Sequence, residues 1–142
     1  MILLSDCVAQ VESSGNPLAM RYEPDYLPTL NSIQLTQKFA TAGYMDTNTA
    51  RMITSTSWGK FQIMGANLYA VLKYEDTLVS FLSDVGSQLA AFQSFIGHLG
   101  FTDGPFAMMG EQSLLQFARL YNGSEVYAES LKHAYVQMDI VP

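Results

Sequence analysis

The sequence predicts a mainly α, compact single-domain fold with at most a very small β element. Three observations carry that prediction. Apolar residues recur at steps of three and four through most of the chain. Only two short stretches, residues 18 to 23 (LAMRYE) and 60 to 64 (KFQIM), read as extended pieces. No internal repeat, low-complexity tract or linker-like change of composition divides the 142 residues, so one domain is expected over 1–142.

The elements follow in order. Leu4, Val8 and Val11 repeat at helical spacing, with Ser5 or Asp6 able to start that helix. Residues 32 to 42 (SIQLTQKFATA) form a second helix closed by Gly43, and residues 46 to 53 a shorter third. The strongest periodicity lies in residues 83 to 100, where Val85, Leu89, Phe92, Ile96 and Leu99 fall on one stripe ending at Gly100. Leu114, Phe117, Ala118 and Tyr121 define another helix, broken at Asn122-Gly123, and residues 125 to 138 give the last.

Composition narrows the function classes. Hydrophobic residues make up 49% and charged residues 14%, which excludes a disordered tail and a coiled coil. A net charge of -6 argues against binding nucleic-acid phosphates, and any anionic partner must be held by specific contacts. No apolar run reaches membrane-spanning length, so no membrane insertion is expected. The start, MILLSDCVAQVE, has no basic leader and is interrupted by Asp6, so no cleavable signal peptide is expected. Cys7 has no cysteine to pair with and shares the apolar face of Leu4 and Val8, where it reads as a small buried hydrophobe rather than half of a Cys-His nucleophile. His98 and His133 fall on separate predicted helices without ligand-spaced partners, so no metal is assigned.

The unusual feature is VAQVESSGNP, residues 8 to 17, where an apolar stripe ends in Glu12 and the chain then breaks. A carboxylate at a helix C-terminus faces the negative end of the macrodipole, which disfavours its charged form. Desolvation by neighbouring apolar groups raises its pKa further, as suits a general acid near neutral pH. Taken alone, the segment is better read as an exposed helix-end residue followed by ordinary turn residues. Two further segments bear on it: SWGKFQIMG, residues 57 to 65, and ARLYNG, residues 118 to 123.

In this order the three blocks resemble the lysozyme-like lytic transglycosylases, and more closely the N-acetylmuramidase domains of phage endolysins, which carry a Ser-Trp-Gly-x-x-Gln-Ile-Met-Gly block matched here from Ser57 through Gly65. Tyr22-Glu23 resembles the Phe-Glu that follows the catalytic segment in those domains, although Asp25 stands where they often have His. The resemblance implies a lysozyme-like fold and cleavage of the β-1,4 bond between N-acetylmuramic acid and N-acetylglucosamine. Glu12 would be the general acid and then base, because a departing sugar oxygen needs a proton. Ser57, Trp58, Gln62, Tyr121 and Asn122 would bind substrate, with the Tyr121 hydroxyl beside Glu12 and Trp58 offering a flat face to a sugar. Core packing is the alternative for Trp58, and buried structural polar groups for Gln62 and Tyr121.

A hydrolase needs a second carboxylate, for which Glu23 leads ahead of Asp25 and Asp46; a lytic transglycosylase needs none and leaves a 1,6-anhydro sugar. With no carboxylate position assured, the transglycosylase reading stands slightly ahead. A non-catalytic glycan-binding or virion structural module is the alternative class. No cofactor is expected. The resemblance implies a peptidoglycan glycan strand as partner, synthesis in a host cytoplasm, and action on the wall through a holin-made lesion or inside an infecting particle with phage virion or lysis proteins. Arg21, Lys60 and Arg119 are candidates for a basic groove.

Overall fold

The structure, a computed structural model, describes residues 1–23 and 46–140. The helix expected over 32 to 42 and the candidate carboxylate Asp25 lie outside the described residues. Within them the fold is helical, with one small antiparallel sheet. None of the described helices is long and apolar enough to cross a membrane.

Helix α1 (Leu4–Ser13) buries Leu4, Cys7 and Val8, the stripe that its sequence spacing predicts. Asp6 helps start it by accepting from the Leu3 amide at 2.8 Å. Two more of its N-terminal amides are taken by residues about a hundred positions away: Leu4 by the Gly104 carbonyl at 3.0 Å and Ser5 by Asp103 Oδ1 at 2.9 Å. The helix therefore starts where the chain from 103 to 105 runs across it.

Strand β1 (Met20–Tyr22) pairs with β2 (Thr56–Trp58), which pairs with β3 (Ile63–Met64), all antiparallel. The sequence patterns anticipate β1 and β3, but β2 lies in a run of Ser and Thr without alternation, and residues 60 to 62 form a turn instead of strand. Ahead of β2 runs α2 (Thr47–Thr54), whose first turn is capped by Asp46 Oδ1 accepting from the Thr49 amide at 2.7 Å.

The helix expected over residues 83 to 100 forms, and a short helix that the periodicity does not mark precedes it. Helix α3 (Leu78–Ser83) ends at Asp84, whose extended backbone (φ -124°, ψ 100°) turns the chain and whose side chain then caps α4 (Val85–His98). Phe92 and Ile96 are fully buried as the stripe predicts, whereas Val85, in the first turn, is 47% exposed. Helix α5 (Glu111–Asn122) buries Leu114, Phe117 and Ala118 and stops at Gly123, whose φ of 89° ends the helix in the left-handed region. Helix α6 (Val126–Ile140) packs on both α1 and α5. The core is continuous across these elements.

A buried amide fastens the loops to this core. Gln88 of α4 is completely buried, and its Nε2 donates to the carbonyls of Pro17 at 2.9 Å and Phe81 at 3.2 Å, while its Oε1 accepts from the Lys60 amide at 2.7 Å. Gly59 is required twice over: its φ is +79°, and a Cβ there would stand 2.6 Å from Gln88 Oε1. A Cβ on Gly65 would run into the Ile53 carbonyl, so both glycines of the SWGKFQIMG block answer to packing.

Replacing Gln88 by Leu takes their partner from the Lys60 amide and the Pro17 carbonyl, while the Phe81 carbonyl keeps only the Asp84 amide. Loss of about 3 kcal/mol of unfolding free energy is expected in urea titration, each unsatisfied buried group costing roughly 1–3 kcal/mol. A loss below ~1 kcal/mol would show that these backbone groups find other partners.

Candidate active site

Ser13, Ser14, Asn16 and Pro17 each fasten the segment that follows Glu12. The Ser13 hydroxyl donates to the Lys60 carbonyl at 2.7 Å, tying the end of α1 to the turn between β2 and β3. Ser14 closes the helix in the left-handed region with φ 54°. Asn16 Oδ1 accepts from the Leu18 amide at 2.9 Å, an Asx turn, and the Pro17 carbonyl goes to Gln88. The break after the apolar stripe thus holds Glu12 in one place at the mouth of a cleft.

That cleft has a cavity volume of about 300 Å³. It is lined by Arg21, Glu23, Ser57, Gln62, Ile63, Met64 and Asn67 from the sheet and the segments next to it, by Phe95 of α4, by Tyr121 and Asn122 of α5, and by Glu12 of α1. Two roomier clefts of about 400 and 500 Å³ lie elsewhere, and neither brings two carboxylates together with neutral hydrogen-bonding groups.

Glu12 is half-buried and its carboxyl is pushed above the ordinary range by burial. A hydrogen bond from Tyr127 and the positive charge of Arg21 pull the other way, and the negative charge of Glu23 adds to the rise. The Tyr127 hydroxyl donates to Glu12 Oε1 at 2.7 Å. With Oε1 held as an acceptor, a proton on this carboxyl belongs on Oε2, the oxygen left for a ligand. Burial drives the Tyr127 phenol far above its ordinary value, so it stays a donor.

The other expected site residues separate into two groups. Glu23, Ser57, Gln62, Tyr121 and Asn122 line the cavity with Glu12. Trp58 does not: its ring is buried, 8% exposed, and its indole N–H donates to the Ile53 carbonyl at 2.9 Å, which makes it a core residue that anchors the sheet to α2. Ser57 and Gln62 are partly committed, the first donating to Met64 sulfur at 3.1 Å and the second to the Gly59 carbonyl at 3.0 Å. Asp46 is spent on capping α2 and is not among the lining residues. Of the three basic candidates only Arg21 reaches the cleft; Arg119 pairs with Glu125 at 2.9 Å, and Lys60 is not a lining residue.

Tyr121 departs from expectation. Its hydroxyl donates to the Phe61 carbonyl at 2.7 Å, not to Glu12, while its ring stacks between Phe117 (5.1 Å) and Tyr127 (6.0 Å). It buttresses the partner that does hold Glu12. Sequence reasoning passed over Tyr127 because it reads as one more core aromatic, in a stripe with Leu131 and Ala134. The one local signal was its place in the first turn after the Asn122-Gly123 break. Cys7 is chemically silent, its thiol pushed up to about 12 by burial and by Asp6.

Residues 9–139 match the family model described as N-acetylmuramidase. The chain belongs to the N-acetylmuramidase family. It is also 34% identical over 140 residues to the endolysin of Enterobacteria phage PRD1, covering 92% of this chain and 93% of that protein. No solved structure matches it. As an N-acetylmuramidase family member the protein is a peptidoglycan-cleaving enzyme.

Two outcomes follow for Glu12. Tyr127 favours the ionised carboxylate, so Tyr127→Phe should raise the Glu12 pKa, read directly by pH titration of its carboxyl carbon in NMR; an unchanged or lower value would remove Tyr127 from the site. The folded carboxyl also binds its proton more tightly than the unfolded one, whose ordinary value is 4.5. Its contribution to stability therefore falls as pH rises from 4.5 through the folded pKa. Glu12→Gln should raise the thermal midpoint at pH 7, and the gain should shrink as pH is lowered below 4.5.

Proposed function

We propose that this enzyme cleaves the β-1,4 bond between N-acetylmuramic acid and N-acetylglucosamine by hydrolysis, with Glu12 as general acid and Glu23 as the second carboxylate. The observation that carries the reading is that the two carboxylates line one cavity, with the Glu12 carboxyl raised by burial and by the Glu23 charge itself. Two carboxyl groups in different surroundings suit one to give a proton while the other stays ionised. Glu23 keeps its place through its amide, which donates to the Ser55 carbonyl at 2.9 Å at the end of the sheet.

In this reading Glu12 Oε2 delivers its proton to the bridging oxygen of the glycan. Glu23 then either aligns water or stabilises positive charge developing on the sugar ring. Asn67 and Asn122 offer amide groups to sugar hydroxyl and acetamido substituents, and Phe95 offers an apolar face. The endolysin relative supports a role at the cell wall during release of phage from a host.

A second reading, the lytic transglycosylase, draws on the ion pair of Glu23 with Arg21 at 3.5 Å, which would make Glu23 a structural partner and leave Glu12 to act alone.

Mass spectrometry of the soluble products from purified peptidoglycan separates the two. Hydrolysis predicts fragments ending in reducing muramic acid, a loss of about 10²–10⁴-fold in rate for Glu12→Gln, and a comparable loss for Glu23→Gln. Products ending in 1,6-anhydro-muramic acid, with Glu23→Gln still active, would establish the transglycosylase. No fragments from the wild-type protein would overturn both.

A further inference from the structure

The cleft has a charge problem that its hydrogen-bonding groups do not solve. It presents two carboxylates, on a chain of net charge -6. The glycan it accepts in the proposed reading carries an anion on every second sugar, either the lactyl carboxylate of muramic acid or carboxylates of the peptide attached there. Such a strand is repelled unless a cation meets it. Among the described lining residues Arg21 is the one cation.

Its placement fits that task. The backbone of Arg21 is fixed in the centre of β1, opposite Ser57 of β2, which lines the same cavity. The side chain, in contrast, is 76% exposed, and its contact with Glu23 runs through Nε at 3.5 Å. That distance exceeds the roughly 2.7–2.9 Å of a strong charge-assisted bond, and a pair so exposed contributes little to stability. Glu23 occupies the Nε side of the guanidinium, so the two Nη groups remain to receive a second carboxylate side by side. The other described cations are placed differently: Arg119 is held by Glu125, Lys132 by Glu111 and Glu129, and Arg51, Lys60 and Lys73 are not lining residues.

We propose that Arg21 is a specificity-determining residue that takes a carboxylate of the muramyl unit, from the lactyl group or from its peptide, on its Nη edge and so seats the strand across Glu12. The inference rests on the peptidoglycan-cleaving reading above. It makes the enzyme selective for glycan carrying carboxylates over the same glycan with those groups masked. Because the guanidinium binds in the ground state as well as during reaction, the selectivity falls on KM more than on kcat.

Initial rates on three substrates test it: glycan stripped of peptides with free lactyl carboxylates, the same glycan methyl-esterified, and strands bearing their peptides. The wild-type protein should prefer free carboxylate to ester, and Arg21→Gln should reduce that preference about tenfold through KM, the size of one exposed charge-assisted contact. Arg21→Lys should restore part of it, since it returns the charge without the fork. A preference seen with the stripped glycan assigns the lactyl group; one confined to peptide-bearing strands assigns the peptide. If wild-type and Arg21→Gln discriminate ester from acid equally, and also prefer peptide-bearing over stripped strands equally, while both cleave, the Arg21 proposal fails and the catalytic reading survives. Wild-type protein that cleaves none of the three overturns both.

Discussion

The structure around the cleft depends on one buried amide. Gln88 sits on a helix whose other inward residues are apolar, and it has no access to water. An amide there is tolerated only when both ends are bonded, and here the bonds go to three separate stretches of backbone. The Pro17 carbonyl comes from the loop after α1, the Lys60 amide from the turn between β2 and β3, and the Phe81 carbonyl from the end of α3. Gly59 is glycine because this amide fills the space where a side chain would go.

Around that anchor the short turn from Gly59 to Gln62 collects contacts from nearly every wall of the site. Ser13 and Tyr121 donate to its carbonyls, and its first amide donates to the Ala19 carbonyl at 2.8 Å. Tyr121 thereby serves two ends at once: its hydroxyl holds the turn, and its ring supports Tyr127, whose hydroxyl holds Glu12. The Glu12 carboxyl is held not only by the helix that carries it but also by a chain of side chains crossing from sheet to helices.

Glu12 itself lies in a tension that suits a proton donor and not a stable fold. Burial favours its neutral form, whereas Tyr127 and Arg21 favour the charged one. Two opposing influences of this kind hold a carboxyl above its ordinary range without abolishing its ionisation. A general acid that must also accept a proton back requires both forms to be within reach. Glu23 and Arg21 belong to the same balance, since both charges act on Glu12 from the sheet wall.

The helices were legible in the sequence because their signal is local. Phe92 and Ile96 repeat four residues apart, Gly123 follows Asn122, and these spacings specify a buried face and a stop without reference to the rest of the chain. The three site blocks were legible as a set, through a resemblance, and Glu23, Ser57, Gln62, Tyr121 and Asn122 line one cavity with Glu12. What the sequence could not assign was the partner of each side chain. Strand β2 carries no alternation because all three of its residues are buried, so its pairing is visible only once β1 and β3 flank it. Trp58 reads alike as a sugar platform or a core anchor until the Ile53 carbonyl is found at its N–H. The hydroxyl that holds Glu12 lies 115 residues away on α6, and a neighbouring tyrosine of the same kind takes a carbonyl instead. Periodicity records which face of an element is buried; which polar atom meets which is a matter of a few tenths of an ångström between elements distant in sequence, and only packing decides it.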